Sequence, residues 1–190
     1  MKKSNTLRIL YYLYKRFADG TILFFKSLFK PLSFMKGEDF EKCLRKKVFK
    51  KAEYDLIMQT NDFHKNKSDY VESSLYPDYL LRDRSINEEF WVEAKYREKL
   101  YMGKIEWCIP YQFKRYKKLS KQMNVVIAIG FGGRPINPEK IYLIPLNEIQ
   151  YTGLYPKSIA EYEFDGKWWK ISSQILQDHC KVTGIRLIKI

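Results

Sequence analysis

Residues 76–95, YPDYLLRDRSINEEFWVEAK, decide how this chain is read. From Glu88 to Tyr96 the side chains alternate as in a strand: Phe90, Val92 and Ala94 share one face, and Trp91, Glu93 and Lys95 share the other. Upstream, residues 78–82 (DYLLR) form a second short strand candidate, and residues 83–87 (DRSIN) supply turn formers between the two. A hairpin closed symmetrically about Ser85 and Ile86 sets Asp78 directly across from Glu93, with Lys95 projecting beside it. Cross-strand neighbours lie roughly 4.5–5.5 Å apart at Cβ, so two carboxylates repel there unless a cation lies between them. A divalent metal with oxygen ligands suits that place, and Lys95 adds a further positive charge.

Pro77-Asp78, fourteen intervening residues and then Glu93-Ala94-Lys95 resemble the PD-(D/E)XK signature of the restriction-endonuclease-like nucleases. A second acid-x-lysine triplet, Asp165-Gly166-Lys167, falls at an Asp-Gly turn and lacks the strand context. The resemblance spans residues 37–149. It implies an α/β fold with a mixed central sheet flanked by helices, and a metal-dependent DNA endonuclease. Mg²⁺ or Mn²⁺ would be held by Asp78, Glu93 and the backbone carbonyl of Ala94, while Lys95 orients or stabilises the attacking hydroxide. Glu41, in a G-x-x-F-E setting, is similar to the acid on the first helix of such nucleases. Gln112, early in the helix after the E-x-K strand, resembles their glutamine that positions water or phosphate.

Charge points the same way. Lys and Arg number 35 against 22 Asp and Glu, a net charge of +13, which favours a polyanion: nucleic acid first, an anionic membrane surface second. The basic runs lie at residues 42–51 and 114–121, and Lys46, Lys47, Lys114, Arg115 and Lys118 are the candidate phosphate contacts. Tyr111, Phe113 and Tyr116 can stack on splayed bases, although core packing is their simpler use. Cys43, Cys108 and Cys180 are odd in number and widely spaced, with only His64 and His179 as companions. That argues against a zinc site or disulfide framework and fits a reducing cytoplasm.

Residues 1–36 read as an amphipathic helical segment, with Leu10, Tyr14 and Phe17, then Ile22, Phe25 and Phe29, at helical spacing. Charges interrupt every apolar run before the roughly 18 residues of a membrane span are reached. The segment either packs on the domain or a partner, or lies on a membrane surface. Residues 37–150 form the nuclease-like core. Its expected elements are a helix over 37–51 with acids in its first turn, a strand over 54–59, the hairpin, a mixed and mobile stretch over 97–108, a helix from Pro110 to Leu119, and strands over 125–131 and 140–145. Residues 151–190 are a C-terminal extension with a hairpin about Asp165-Gly166, a helix and a terminal strand. Two rival functions stand beside the nuclease: a catalytically silent nucleic-acid-binding module, and a membrane-surface or partner-docking protein. A homodimer is left open.

Overall fold

The computed structural model of the chain describes residues 32–60 and 76–166. The chain divides into two units, Met1–Met35 and Lys36–Ile190. The expected N-terminal helices, the polar connection carrying His64, and the C-terminal helix and strand with His179 and Cys180 lie outside the described residues.

Helix α1 (Leu32–Lys47) is followed by strands β1 (Tyr54–Gln59), β2 (Tyr79–Asp83), β3 (Glu88–Arg97) and β4 (Ile105–Glu106). Helix α2 (Pro110–Leu119) then precedes strands β5 (Asn124–Phe131), β6 (Lys140–Pro145) and β7 (Gly153–Leu154), with 3₁₀ turns at Leu146–Glu148 and Pro156–Tyr162. The five-stranded sheet runs β1-β2-β3-β5-β6. It is antiparallel through β3, parallel between β3 and β5, and antiparallel again to β6, so it is the mixed sheet the sequence implied. A parallel neighbour requires a crossover, and the segment carrying α2 provides it.

Helices cover both faces. On one, Phe40 and Leu44 of α1 and Val48 just beyond it pack with Phe90, Val92 and Ala128; on the other, Tyr116 of α2 and the 3₁₀ residues Leu146 and Ile159 pack with Trp91, Ile127 and Ile129. Because β5 is buried on both sides, its run of Val, Ile and Ala has no polar alternation. Gly130 marks the closest approach of the first layer, where a Cβ would meet the Phe40 ring at 2.4 Å.

Structure and expectation differ in two places. Helix α1 begins at Leu32, so Glu38 and Asp39 lie along its length and no acid occupies its first turn; the bases Arg45, Lys46 and Lys47 do close it. It stops at Lys47 because Val48 and Phe49 both turn into the core, their amides sharing the Leu44 carbonyl at 2.9 and 2.8 Å. Residues 97–108 carry regular structure: a tight turn at Met102-Gly103 leads into β4, which pairs with β7 about fifty residues later. Of the expected hairpin about Asp165-Gly166 only the first arm lies in the described residues, and it borders β6: Glu163 bridges Tyr142 and the Phe164 amide donates to Ile141 O at 2.8 Å. Gly166 itself has φ +90, as a turn glycine should. Among the described residues no helix is long and apolar enough to cross a membrane.

Candidate active site

The hairpin register runs from Tyr79↔Val92 to Asp83↔Glu88, the pairing read from the alternation. Asp83 fixes the turn: its Oδ1 accepts the Ser85 amide at 2.8 Å and the Ser85 hydroxyl at 2.6 Å. Asn87 takes the left-handed conformation with φ 54, which asparagine tolerates better than most residues.

Carried one and two positions further, the same register faces Asp78 with Glu93 and Pro77 with Ala94. Alternation turns the Ala94 amide and carbonyl toward β2, since those of Arg97 point the other way and its carbonyl accepts the Gly132 amide at 3.0 Å. Pro77 has no N–H to give, so the ladder stops at Tyr79↔Val92. The Ala94 amide donates instead to Asp78 Oδ2 at 2.7 Å, and the Ala94 carbonyl receives no amide from Pro77.

Glu93 and Lys95 project together from the α2 face, as expected. Glu93 is only 1% exposed. Its Oε1 meets Lys95 Nζ at 2.5 Å and its Oε2 accepts the Tyr116 hydroxyl at 2.8 Å. Glu41 arrives from α1, where its carboxylate accepts the Tyr79 hydroxyl at 2.8 Å.

Asp78, Glu93 and Lys95 thus share a poorly solvated place within electrostatic reach of Glu41, and the proton affinities of Asp78 and Lys95 record it. Burial pushes the Asp78 carboxyl well above the usual carboxylate range; Glu93 and Glu41 push it further, while Lys95 and the Ala94 amide pull the other way. Burial alone would lower Lys95, but Glu93 and Asp78 outweigh it and hold its ammonium more firmly protonated than usual. Tyr79 and Tyr116 are raised by burial and by the acids they serve, so both stay hydroxyl donors.

Gln112 and Lys95 line one cavity of about 430 Å³, so the sequence-derived glutamine reaches the ammonium's neighbourhood. The candidate phosphate contacts are not brought into one patch. Lys46 and Lys47 belong to α1 and Lys114, Arg115 and Lys118 to α2, on opposite faces of the sheet. Lys47 donates to Asn137 Oδ1. Arg115 lies over the Tyr111 and Tyr116 rings at 5.8 and 5.2 Å.

Tyr116 and Tyr79 are the residues that sequence reading left without a role at the site. Tyr116 does pack in the core, as the simpler reading held, yet its hydroxyl supports Glu93. The available signal was its chemistry: tyrosine where phenylalanine would pack equally well implies a buried polar partner.

Among the described residues no three His, Cys, Asp or Glu side chains are grouped as a ready cation cage. The donor set on offer is two carboxylates and the Ala94 carbonyl, all oxygen, as Mg²⁺ and Mn²⁺ prefer. Burial raises Asp78 first and the Glu93 and Glu41 carboxylates add to it, a field that a divalent cation would relieve, so the residues present fit such an ion.

No family model matches this sequence, and no curated protein matches it. Among solved structures it is similar to Hjc of Archaeoglobus fulgidus, a Holliday junction resolvase from an archaeal hyperthermophile. The identity is 12% and the TM-score 0.48, with 72% of this chain and 98% of that chain covered.

Proposed function

We propose that this chain is a metal-dependent deoxyribonuclease of the PD-(D/E)XK kind, an endonuclease that hydrolyses phosphodiester bonds in DNA. The observation that carries the reading is the convergence of Asp78, Glu93 and Lys95 where proline interrupts the β2–β3 ladder.

Asp78, Glu93 and the Ala94 carbonyl would hold the ion, Mg²⁺ or Mn²⁺. When bound, it supplies Lewis-acid charge to the phosphate and lowers the pKa of water. Lys95, kept protonated between Glu93 and Asp78, offers its ammonium to the attacking oxygen and to charge developing on the phosphoryl oxygens. Tyr116 keeps Glu93 from rotating away, and the Ala94 amide does the same for Asp78. Glu41, oriented by Tyr79, acts on Asp78 and on water near it; Gln112, across the Lys95 cavity, positions water or a phosphoryl oxygen. A net charge of +13 supplies the general attraction to DNA.

The test is cleavage of plasmid, linear and single-stranded DNA with Mg²⁺ or Mn²⁺ by wild type and Asp78→Asn, with chelator as control. Metal-dependent cutting by wild type that is lost in the variant is the expected result. Cutting that persists at the wild-type rate in Asp78→Asn removes that residue from the mechanism. An absence of cutting, with salt-sensitive DNA binding kept by both proteins, turns the reading to a silent binding module.

A further inference from the structure

The cavity that begins at Lys95 contains more than the proposed hydrolysis requires. Its wall includes Arg97, Lys99, Tyr101 and Ile109 besides Lys95 and Gln112, with a volume of about 430 Å³. That lies in the range of roughly 300–1,000 Å³ that holds small organic ligands. Three of those six side chains are cationic, and Glu106 adds one carboxylate to the same wall. Arg97 is locked in place, its guanidinium donating to the carbonyls of Glu106, Tyr96 and Trp107 at 2.5, 2.9 and 3.2 Å. Lys99 lies in the open beside it.

The rim is built against ordinary surface rules. Tyr101 is 63% exposed and Ile109 60%, and Met102, which follows Tyr101 in the turn without lining the cavity, is 81% exposed. The Tyr101–Lys104 turn is closed by reciprocal amide bonds of 2.8 and 2.9 Å, with φ +49 at Met102 and +75 at Gly103. This is the two-residue hairpin that favours Asn-Gly. Methionine gains no burial from the left-handed conformation it adopts there, and local rules broken without structural gain concentrate at functional sites. The turn is also anchored, since Lys104 lies over the Tyr155 ring at 5.1 Å. An apolar, aromatic rim thus stands in water above a wall of three cations and one carboxylate, next to the proposed scissile phosphate.

We propose that this cavity is a nucleotide subsite, which takes one unpaired base adjoining the phosphate to be cut and stacks it on Tyr101. The idea rests on the nuclease reading and specifies its substrate: DNA carrying an unpaired nucleotide, in preference to intact duplex. A paired base cannot present its face to a side chain, whereas an unstacked one can. Lys99 and the fixed charge of Arg97 suit the phosphate of that nucleotide, and Ile109 covers the outer edge of its base.

The experiment measures binding separately from cutting. Full-length protein in chelator is titrated into three oligonucleotides of one sequence: duplex, duplex with a single unpaired 2-aminopurine, and single strand with 2-aminopurine. The two unpaired forms should bind about tenfold tighter than duplex and lose 2-aminopurine fluorescence on binding, the effect of one base–aromatic stack. Tyr101→Ala should abolish both the preference and the quenching, and Tyr101→Phe should keep them. Equal affinity for all three DNAs, or quenching that survives Tyr101→Ala, overturns the subsite. Metal-dependent cutting of all three at equal rates overturns it while leaving the nuclease standing. A preference lost with Tyr101→Ala, in a protein that cuts nothing, supports the subsite and refutes hydrolysis.

Discussion

Replacing Asp78 by asparagine should stabilise the metal-free protein while removing its activity. The amide oxygen of asparagine can still accept the Ala94 N–H that Asp78 Oδ2 takes at 2.7 Å, so the change is close to a pure loss of charge. That charge faces two carboxylates, Glu93 and Glu41, and one ammonium, Lys95. One repulsion is left uncompensated, about 3 kcal/mol for unit charges roughly 5 Å apart at an effective dielectric of about 20. Screening at the half-buried Asp78 brings this to roughly 1–2 kcal/mol, or about 2–8 °C in Tm for a chain of this size. The sign follows from linkage. The folded protein holds the Asp78 proton more tightly than the unfolded chain, so the ionised carboxylate costs stability above its raised folded pKa. That cost shrinks as pH falls through the folded value toward the unfolded value of about 3.9, and disappears below it. Thermal melts of both proteins in chelator at pH 8 and pH 5 measure the effect: the variant should melt higher at pH 8, with a smaller gap at pH 5. Adding Mg²⁺ should raise the wild type more than the variant, through ligand linkage. A variant that melts lower than wild type at pH 8 in chelator refutes the reasoning, because Asp78 would then be a net stabilising charge.

Three further outcomes are expected. Tyr116→Phe removes the hydroxyl that Glu93 accepts at 2.8 Å; it should cost roughly 1.5–3 kcal/mol of stability, the worth of a hydrogen bond to a charged group. It should also weaken Mg²⁺ binding by about 10–100-fold in calorimetry, and unchanged metal affinity would detach Tyr116 from the site. Lys95→Ala should lower kcat by about 10²–10⁴ with metal affinity nearly unchanged; a parallel loss of both would make Lys95 part of the ion's binding. Gly130→Ala should destabilise by about 1–3 kcal/mol in a chemical melt through overpacking against Phe40, and a neutral result would mean that α1 can shift outward at no cost.

The hairpin was legible because three local signals agree there: alternation in β3, an aspartate able to cap its own turn, and a symmetric closure that fixes register. Asp78, Glu93 and Lys95 followed from that register alone. The start of α1 was misread because Gly37 looks like a boundary, whereas on an open helix face, with nothing within 4 Å of a Cβ, it costs only about 1 kcal/mol. Strand β4 was not legible at all: two residues carry no periodicity, and their partner Gly153–Leu154 is remote in sequence. The supporting roles of Tyr116 and Tyr79 were hidden for a related reason, since a buried tyrosine announces that it needs a partner without saying which. The basic residues of α1 and α2 form two separate runs in sequence, and only packing reveals that the sheet stands between them.

Pro77 gives the site a property that no reactive side chain supplies. A finished sheet spends its main-chain acceptors on itself and has nothing to offer a guest. Here one absent hydrogen atom ends the self-pairing a step early, and the unspent lone pairs fall beside two acids. The regular pairing of the sheet and the carbonyl it leaves without a partner from Pro77 therefore come from adjacent residues. Some of its chemistry is carried by what the backbone withholds.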